Sequence, residues 1–442
     1  MKPIVKLDRT LVAVEAEQQV HMMLELTAPP APAARRAPID VVAVIDRSGS
    51  MSGQPLEAVI AAVNLLFRLV GDDDRIAVDT FDDHVDLALP LAHHDTDTAW
   101  QALRRVRSGG STNLSGGWLK AMEILAANGR AEALKRIVVL TDGMANLGIT
   151  SHDSLSGLCS AAKAQAITTT MIGFGDGYEE TLLAAMADAG GGNDYWCAGA
   201  DQAAQVFGDE FTGLTSVVAQ NISVEVRPAD PSARFRVLNE YPITVVDGGL
   251  QVALGDAYGD ERRRVVAVFD VNPGPKAGPY RIADLVIRWA STVGEIALHT
   301  VTVPVMVGAG DAALADATPL DEEVVEQVNV LRVASLRKQA MQAERAGRRE
   351  DAIGALEQAM PLLVSAGAPS NEIDEMHDDL RRMRRGDWSE RDMKRQFSSM
   401  RSTQKGRRAR FVGNEGGRMA GLATSGVARA GRTKISAFEA GL

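Results

Sequence analysis

The spacing of apolar residues changes character several times along the chain, and each change predicts a different kind of element. Near the start, Arg9-Thr-Leu-Val-Ala-Val-Glu15 and Val20-His-Met-Met-Leu-Glu-Leu26 alternate with the period of half-buried strands. A Pro- and Ala-rich stretch over 28–38 follows. Ile39 to Ile45 is then almost wholly apolar and β-branched, as expected for a strand buried on both faces of a parallel sheet. From there strands and helices alternate. Strands are predicted over Arg75–Phe81, Val85–Leu91, Arg136–Leu140, Ile167–Phe174 and around Tyr195. Helices are predicted over Pro55–Leu69, Thr96–Val106, Gly117–Ala127, Ser151–Ala164, Glu179–Ala189 and Asp201–Thr215. Helices between buried strands build a doubly wound, mostly parallel sheet.

After Val218 the pattern becomes all-β. Short alternating runs with Pro and Gly turns recur over Ile222–Val226, Phe235–Leu238, Leu250–Leu254, Arg263–Val271, Ile282–Trp289 and Glu295–Val305. The amino-terminal strands are too few to be stable alone, so they are expected to join this segment, with the α/β unit inserted into a β-sandwich. From Asp321 to Arg385 the period turns helical. Ala334 to Ala359 resembles one tetratricopeptide-like helix pair turning at Gly347, which alone makes a small helical cap rather than a solenoid. The expected organisation is 1–37 as strands and linker, 38–218 as the α/β domain, 219–308 as sandwich, 319–385 as helices and 386–442 as a tail.

The chemistry gathers where the first buried strand ends. Asp46 closes it, and the turn that follows carries Ser48 and Ser50 before Pro55 opens a helix. The carboxyl ends of central strands are where open α/β sheets place ligands. Carboxylate and hydroxyl oxygens are hard ligands, suited to Mg2+ or Mn2+ and poorly suited to Zn2+ or Cu2+. Thr112, in Gly109-Gly-Ser-Thr-Asn113, offers another hydroxyl, and Asp142 ends a second buried run that begins at Ile137.

These five residues resemble the von Willebrand factor type A domain and its metal-ion-dependent adhesion site, as in bacterial cytoplasmic members. Asp46, Ser48 and Ser50 match the family's Asp-x-Ser-x-Ser, Thr112 its second-loop threonine and Asp142 its third-loop aspartate, in order. The resemblance implies that the serines and threonine touch the metal and that the aspartates act directly or through water. It also implies one coordination position left for an acidic side chain of a partner protein. Bacterial proteins similar to this one often work with AAA+ ATPases or assembly machines.

Composition narrows the alternatives. With 45% hydrophobic and 24% charged residues the chain reads as globular, and its 442 residues suggest two or three domains. A net charge of −11 disfavours a broad nucleic-acid surface. No apolar run approaches the roughly 20 residues of a membrane span. Met1 to Thr10 lacks the apolar core of a signal peptide, and only Cys159 and Cys197 are present, so a cytoplasmic location is expected. Residues 386–442 hold 12 Lys and Arg against 5 Asp and Glu, which predicts a flexible basic tail. The alternative is a docking arm using Trp388, Phe397, Phe411 and Phe438 as anchors.

Other signals have plainer readings. Gly173-Phe-Gly-Asp-Gly177 is a tight turn rather than a dinucleotide loop. Gly49-Ser-Met-Ser-Gly53 has Met51 where a nucleophile elbow needs serine. No phosphate loop occurs. His93-His94-Asp95 reads as a surface loop, and Asp72-Asp-Asp74 as a turn with solvated charges. The expected function is a Mg2+-dependent adaptor or scaffold and not an enzyme. A metal-assisted hydrolase lacks a positioned base, and a third possibility is an assembly subunit whose metal only staples the fold.

Overall fold

The computed structural model describes residues 1–31, 37–175, 177–197, 202, 206, 208, 210, 213–292 and 297–406. A six-stranded sheet forms the α/β unit, in the order Val85–Ala92, Arg75–Phe81, Ile39–Asp46, Leu134–Thr141, Ile167–Phe174, Gly191–Cys197. All neighbours are parallel except the edge strand Val85–Ala92, which runs antiparallel to Arg75–Phe81. Every residue of Ile39–Asp46 and of Ile167–Phe174 is buried. Helices Gln54–Leu69 and Thr96–Leu103 cover one face; Leu114–Asn128, His152–Lys163 and Glu180–Gly190 cover the other. Gly117 permits the close approach of one of them, since a Cβ there would lie 2.6 Å from the Phe81 ring.

The amino-terminal strands lie on the other side of this insertion. Lys2–Leu7 and Gln18–Thr27 share a four-stranded sheet with Arg262–Val271 and Phe235–Val237. The facing sheet has six strands, in the order Ile243–Val246, Gly249–Tyr258, Val217–Pro228, Gly278–Ser291, Ala297–Gly310, Leu11–Ala13. Strand period explains how Gln18–Thr27 is buried twice over. Val20, Met22, Leu24 and Leu26 enter the core between the two sheets, whereas Met23 faces outward and meets Val324, Val328 and Leu331 of the helix Glu322–Arg345. The chain thus leaves the sandwich after Thr27 and returns at Val217, with the α/β unit between.

Three more helices follow Glu322–Arg345, namely Arg349–Ser365, Ser370–Arg385 and Glu390–Gln404. The turn after the first of these four uses Gly347 at φ +71°, the left-handed conformation glycine tolerates. Glu390–Gln404 corrects the expectation of a flexible tail from 386. Its Met393, Phe397 and Met400 repeat at helical spacing and, with Trp388, enter the core of the helical region. Average composition hid this stripe. Residues 407–442, with Phe411 and Phe438, lie outside the described residues, as do 32–36 of the linker, most of the helix expected over 201–215, and Glu295 of a predicted strand. A second correction concerns Asp74, which is buried and accepts from Ile39 N at 3.0 Å and Gly71 N at 2.7 Å rather than facing solvent.

The α/β unit meets the sandwich through a buried polar cluster. Arg136 pairs with Glu210 at 3.0 Å and with Asp256 of the sandwich at 3.2 Å. Glu210 also accepts from Thr170, Asn193 and Tyr195. Removing the cation leaves two carboxylates at a buried junction with hydrogen-bond donors but no opposite charge. Arg136→Leu is expected to cost about 3–5 kcal/mol of stability, read from denaturant unfolding of the full chain; a loss within about 0.5 kcal/mol, the range of neutral surface changes, would contradict this account of the junction.

Candidate metal centre

The site forms where sheet topology reverses. Ile39–Asp46 is the strand from which later strands add to one side and then the other, so the loops on either side diverge and leave a crevice at its carboxyl end. Asp46 is fully buried there. Its Oδ1 accepts from the Ser48 backbone N at 2.8 Å, and its Oδ2 accepts from Thr141 Oγ1, on the neighbouring strand. The first loop then turns through Gly49–Met51, a short 3-10 helix whose buried Met51 anchors it to the core.

All five sequence-predicted residues converge. Ser48 Oγ and Ser50 Oγ lie 3.2 Å apart, and Ser50 Oγ donates to Asp142 Oδ1 at 2.8 Å. Thr112 comes from the second loop, which is tied to the first by Gly49 N to Gly110 O (3.1 Å) and Gly109 N to Arg47 O (2.9 Å). A Cβ on Gly143 would lie 3.2 Å from Thr112 Oγ1 and 3.7 Å from Asp46 Oδ2, so those two oxygens flank one small gap. Glycine keeps the gap open.

Burial pushes both site carboxyls above the usual carboxylate range, Asp46 against the pull of its hydrogen bonds to Ser48 and Thr141, and Asp142 against that of Ser50. Hydroxyls and backbone amides are the hydrogen-bond donors to these carboxylates, and no Lys, Arg or His is among them. Two desolvated carboxylates with uncharged partners, three hydroxyls and a gap kept open by glycine fit a hard divalent cation.

Some contributors were not legible as site residues. Thr141 holds Asp46 and also accepts from Gly143 N at 3.1 Å. Asn146 accepts from Thr112 N at 2.8 Å through its side chain and returns its own backbone N to Thr112 O at 3.1 Å. Their only sequence signal is proximity to Asp142. His93-His94-Asp95 is structural: Asp95 caps helix Thr96–Leu103, and the His94 ring meets Phe67 edge-on. Asp82, Asp83 and His84 cluster at the surface, but Asp82 is already paired with Arg47 at 3.0 Å.

Calorimetry on the full chain is expected to detect Mg2+ or Mn2+ binding that Asp46→Ala abolishes and Gly143→Ala weakens. Protons compete with the cation for carboxyls whose affinity for protons is raised, so binding should release protons and weaken as pH falls. Preferential Zn2+ binding with Mg2+ silent would contradict the donor assignment.

A family model for the von Willebrand factor type A domain matches residues 40–207. Among curated proteins, the chain is 29% identical to uncharacterized protein sll0103 of Synechocystis, over 52% of this chain and 56% of that one. It is 28% identical to E3 ubiquitin-protein ligase WAV3 of Arabidopsis thaliana, over 56% of this chain and 33% of the ligase. The chain therefore spans about half the length of the first and a third of the second. Among solved structures, a von Willebrand factor type A protein from Catenulispora acidiphila aligns with a TM-score of 0.69 at 18% identity, over 86% of this chain and 89% of that chain. The ArnB paralog VWA2 from Sulfolobus acidocaldarius aligns at 0.61 and 17%, over 91% and 97%. At such identities these likenesses speak for the fold, and their coverage extends it beyond the α/β unit to the sandwich and helices. With the fold, the order of the loops and the matched model in agreement, residues 40–207 of this chain form a von Willebrand factor type A domain.

Proposed function

We propose that this chain is a Mg2+- or Mn2+-dependent protein-binding adaptor or scaffold, engaging an exposed Asp or Glu of a partner protein through Asp46, Ser48, Ser50, Thr112 and Asp142. The observation that carries this reading is an all-oxygen donor set, two carboxylates and three hydroxyls from three loops, whose hydrogen bonds run among themselves, Thr141 and a backbone amide. A bound divalent ion would supply a positive centre for a partner carboxylate. The protein's own residues orient it: Thr141 fixes Asp46, and Asn146 fixes Thr112.

The rim supports a protein ligand over a small anion. Ser50 is exposed, and the third loop presents Met144 at 60%, Leu147 at 41% and Ile149 at 38% exposure within seven residues of Asp142. Apolar side chains beside a charged anchor are what a protein partner buries. Interaction through proteins is also the common role of this domain family. An AAA+ ATPase or an assembly machine is the kind of partner proposed. No helix among the described residues is long and apolar enough to cross a membrane. Cys159 and Cys197 are buried free thiols, which suits the proposed cytoplasmic location.

Affinity capture from the native cell should recover a partner in Mg2+ that is lost in EDTA and with Asp46→Ala, while Met144→Asp weakens capture without changing metal affinity. Partner recovery indifferent to both EDTA and Asp46→Ala would assign the ion to stapling the fold. Phosphoester, peptide or ATP turnover that disappears in Asp142→Ala would make the chain a metal-assisted hydrolase instead.

A further inference from the structure

We infer that the helix Glu390–Gln404 braces the metal-site loop from outside the α/β domain, with Lys394 and Tyr178 as positioning residues; the inference rests on the metal reading above. Lys394 is only 3% exposed. Its Nζ donates to the Tyr178 carbonyl at 2.7 Å, sits 4.5 Å from the centroid of the Tyr178 ring and lies 3.7 Å from Glu180 Oε2. A charge so buried is tolerated because a carbonyl, a ring face and a carboxylate replace its water. Lys394 therefore holds the turn that carries Tyr178 in one place.

That turn lies close beside the metal loop. The Tyr178 ring packs on Gly173, where a Cβ would lie 2.5 Å from it, at the end of strand Ile167–Phe174. Beside Tyr178, a Cβ on Gly177 would come within 3.2 Å of the Asp142 carbonyl. From Lys394 to Asp142 the path is thus a hydrogen bond, one step along the chain and a close approach of the Gly177 backbone to the Asp142 carbonyl. Asp142 gives the site one of its two carboxylates, so a shift of its loop alters where that carboxylate points.

The helix is itself anchored on three sides. Arg401 bridges Asp188 at 2.7 Å and Asp194 at 2.9 Å, and Lys405 reaches both at 2.9 Å. The Lys405 carbonyl accepts from Tyr241 of the sandwich, and the Gly406 carbonyl accepts from Arg264 N at 3.2 Å. Arg345 of the helix Glu322–Arg345 pairs with Glu180, which opens helix Glu180–Gly190, and lies 3.8 Å from Glu390 of the bracing helix. These contacts give the basic charge of this segment an intramolecular use.

The test titrates Mg2+ calorimetrically into the full chain and into Lys394→Met and Gly177→Ala, with melting in EDTA as the check of folding. Met keeps the buried stem and removes the charge and donor, while Ala at 177 pushes the Asp142 carbonyl from the other side. Both are expected to raise the Mg2+ Kd by about three- to tenfold, a part of what a buried charge-assisted hydrogen bond contributes, with the EDTA melting of Gly177→Ala close to wild type. Wild-type Kd in both folded variants overturns the brace and leaves the metal reading standing. If Lys394→Met fails to fold, Gly177→Ala alone decides. Mg2+ binding that Asp46→Ala does not affect would instead sink the metal reading, independently of Lys394.

Discussion

A strand buried on both faces imposes the constraint on which this molecule is built. Ile39–Asp46 is buried along its whole length and must pair its backbone polar groups, which it does in the ladders to Arg75–Phe81 and Leu134–Thr141 and, at its first residue, by donating Ile39 N to Asp74. Its last residue must leave that ladder while still buried, and a carboxylate there needs donors. Asp46 finds them in Ser48 N and Thr141 Oγ1, so the same bonds that terminate the strand also fold the first loop and tie it to the strand that delivers Asp142. Strand termination and site assembly are one event.

The surrounding architecture keeps that end of the sheet in place. At the opposite side of the α/β unit, Arg136 joins Glu210 and Asp256 in a buried cluster, a kind of interaction that adds little net stability but disfavours alternative arrangements. The chain enters and leaves the unit from the sandwich, so both of its ends are fixed in sheets. The last described helix closes the remaining side, with Arg401 and Lys405 between Asp188 and Asp194; Asp194 is held well below the usual carboxylate range by those two cations despite its burial.

Charge distribution follows from this closure. Whereas the chain as a whole is acidic, Lys394, Arg401 and Lys405 face carboxylates of the α/β unit, and the third loop beside Asp142 presents the exposed apolar side chains of Met144, Leu147 and Ile149.

Sequence alone determined what local periodicity and ligand chemistry encode. The β-branched run Ile39–Ile45, the period-two alternation of Val20–Leu26 and the oxygen-only set Asp46, Ser48, Ser50, Thr112 and Asp142 were readable because each depends on residue type at fixed spacing. Tertiary structure decided what depends on distant partners. Asp74 looked like a solvated turn residue until Ile39 N was seen to need its carboxylate. Trp388 and Phe397 sat in a segment whose average composition read as a tail, yet their burial is set by helices far earlier in the chain. Thr141 and Asn146 carry no motif at all, since their use is to hold Asp46 and Thr112, which come from other parts of the chain. Periodicity reports which face of an element is buried; only the packed fold determines which polar group waits on that face.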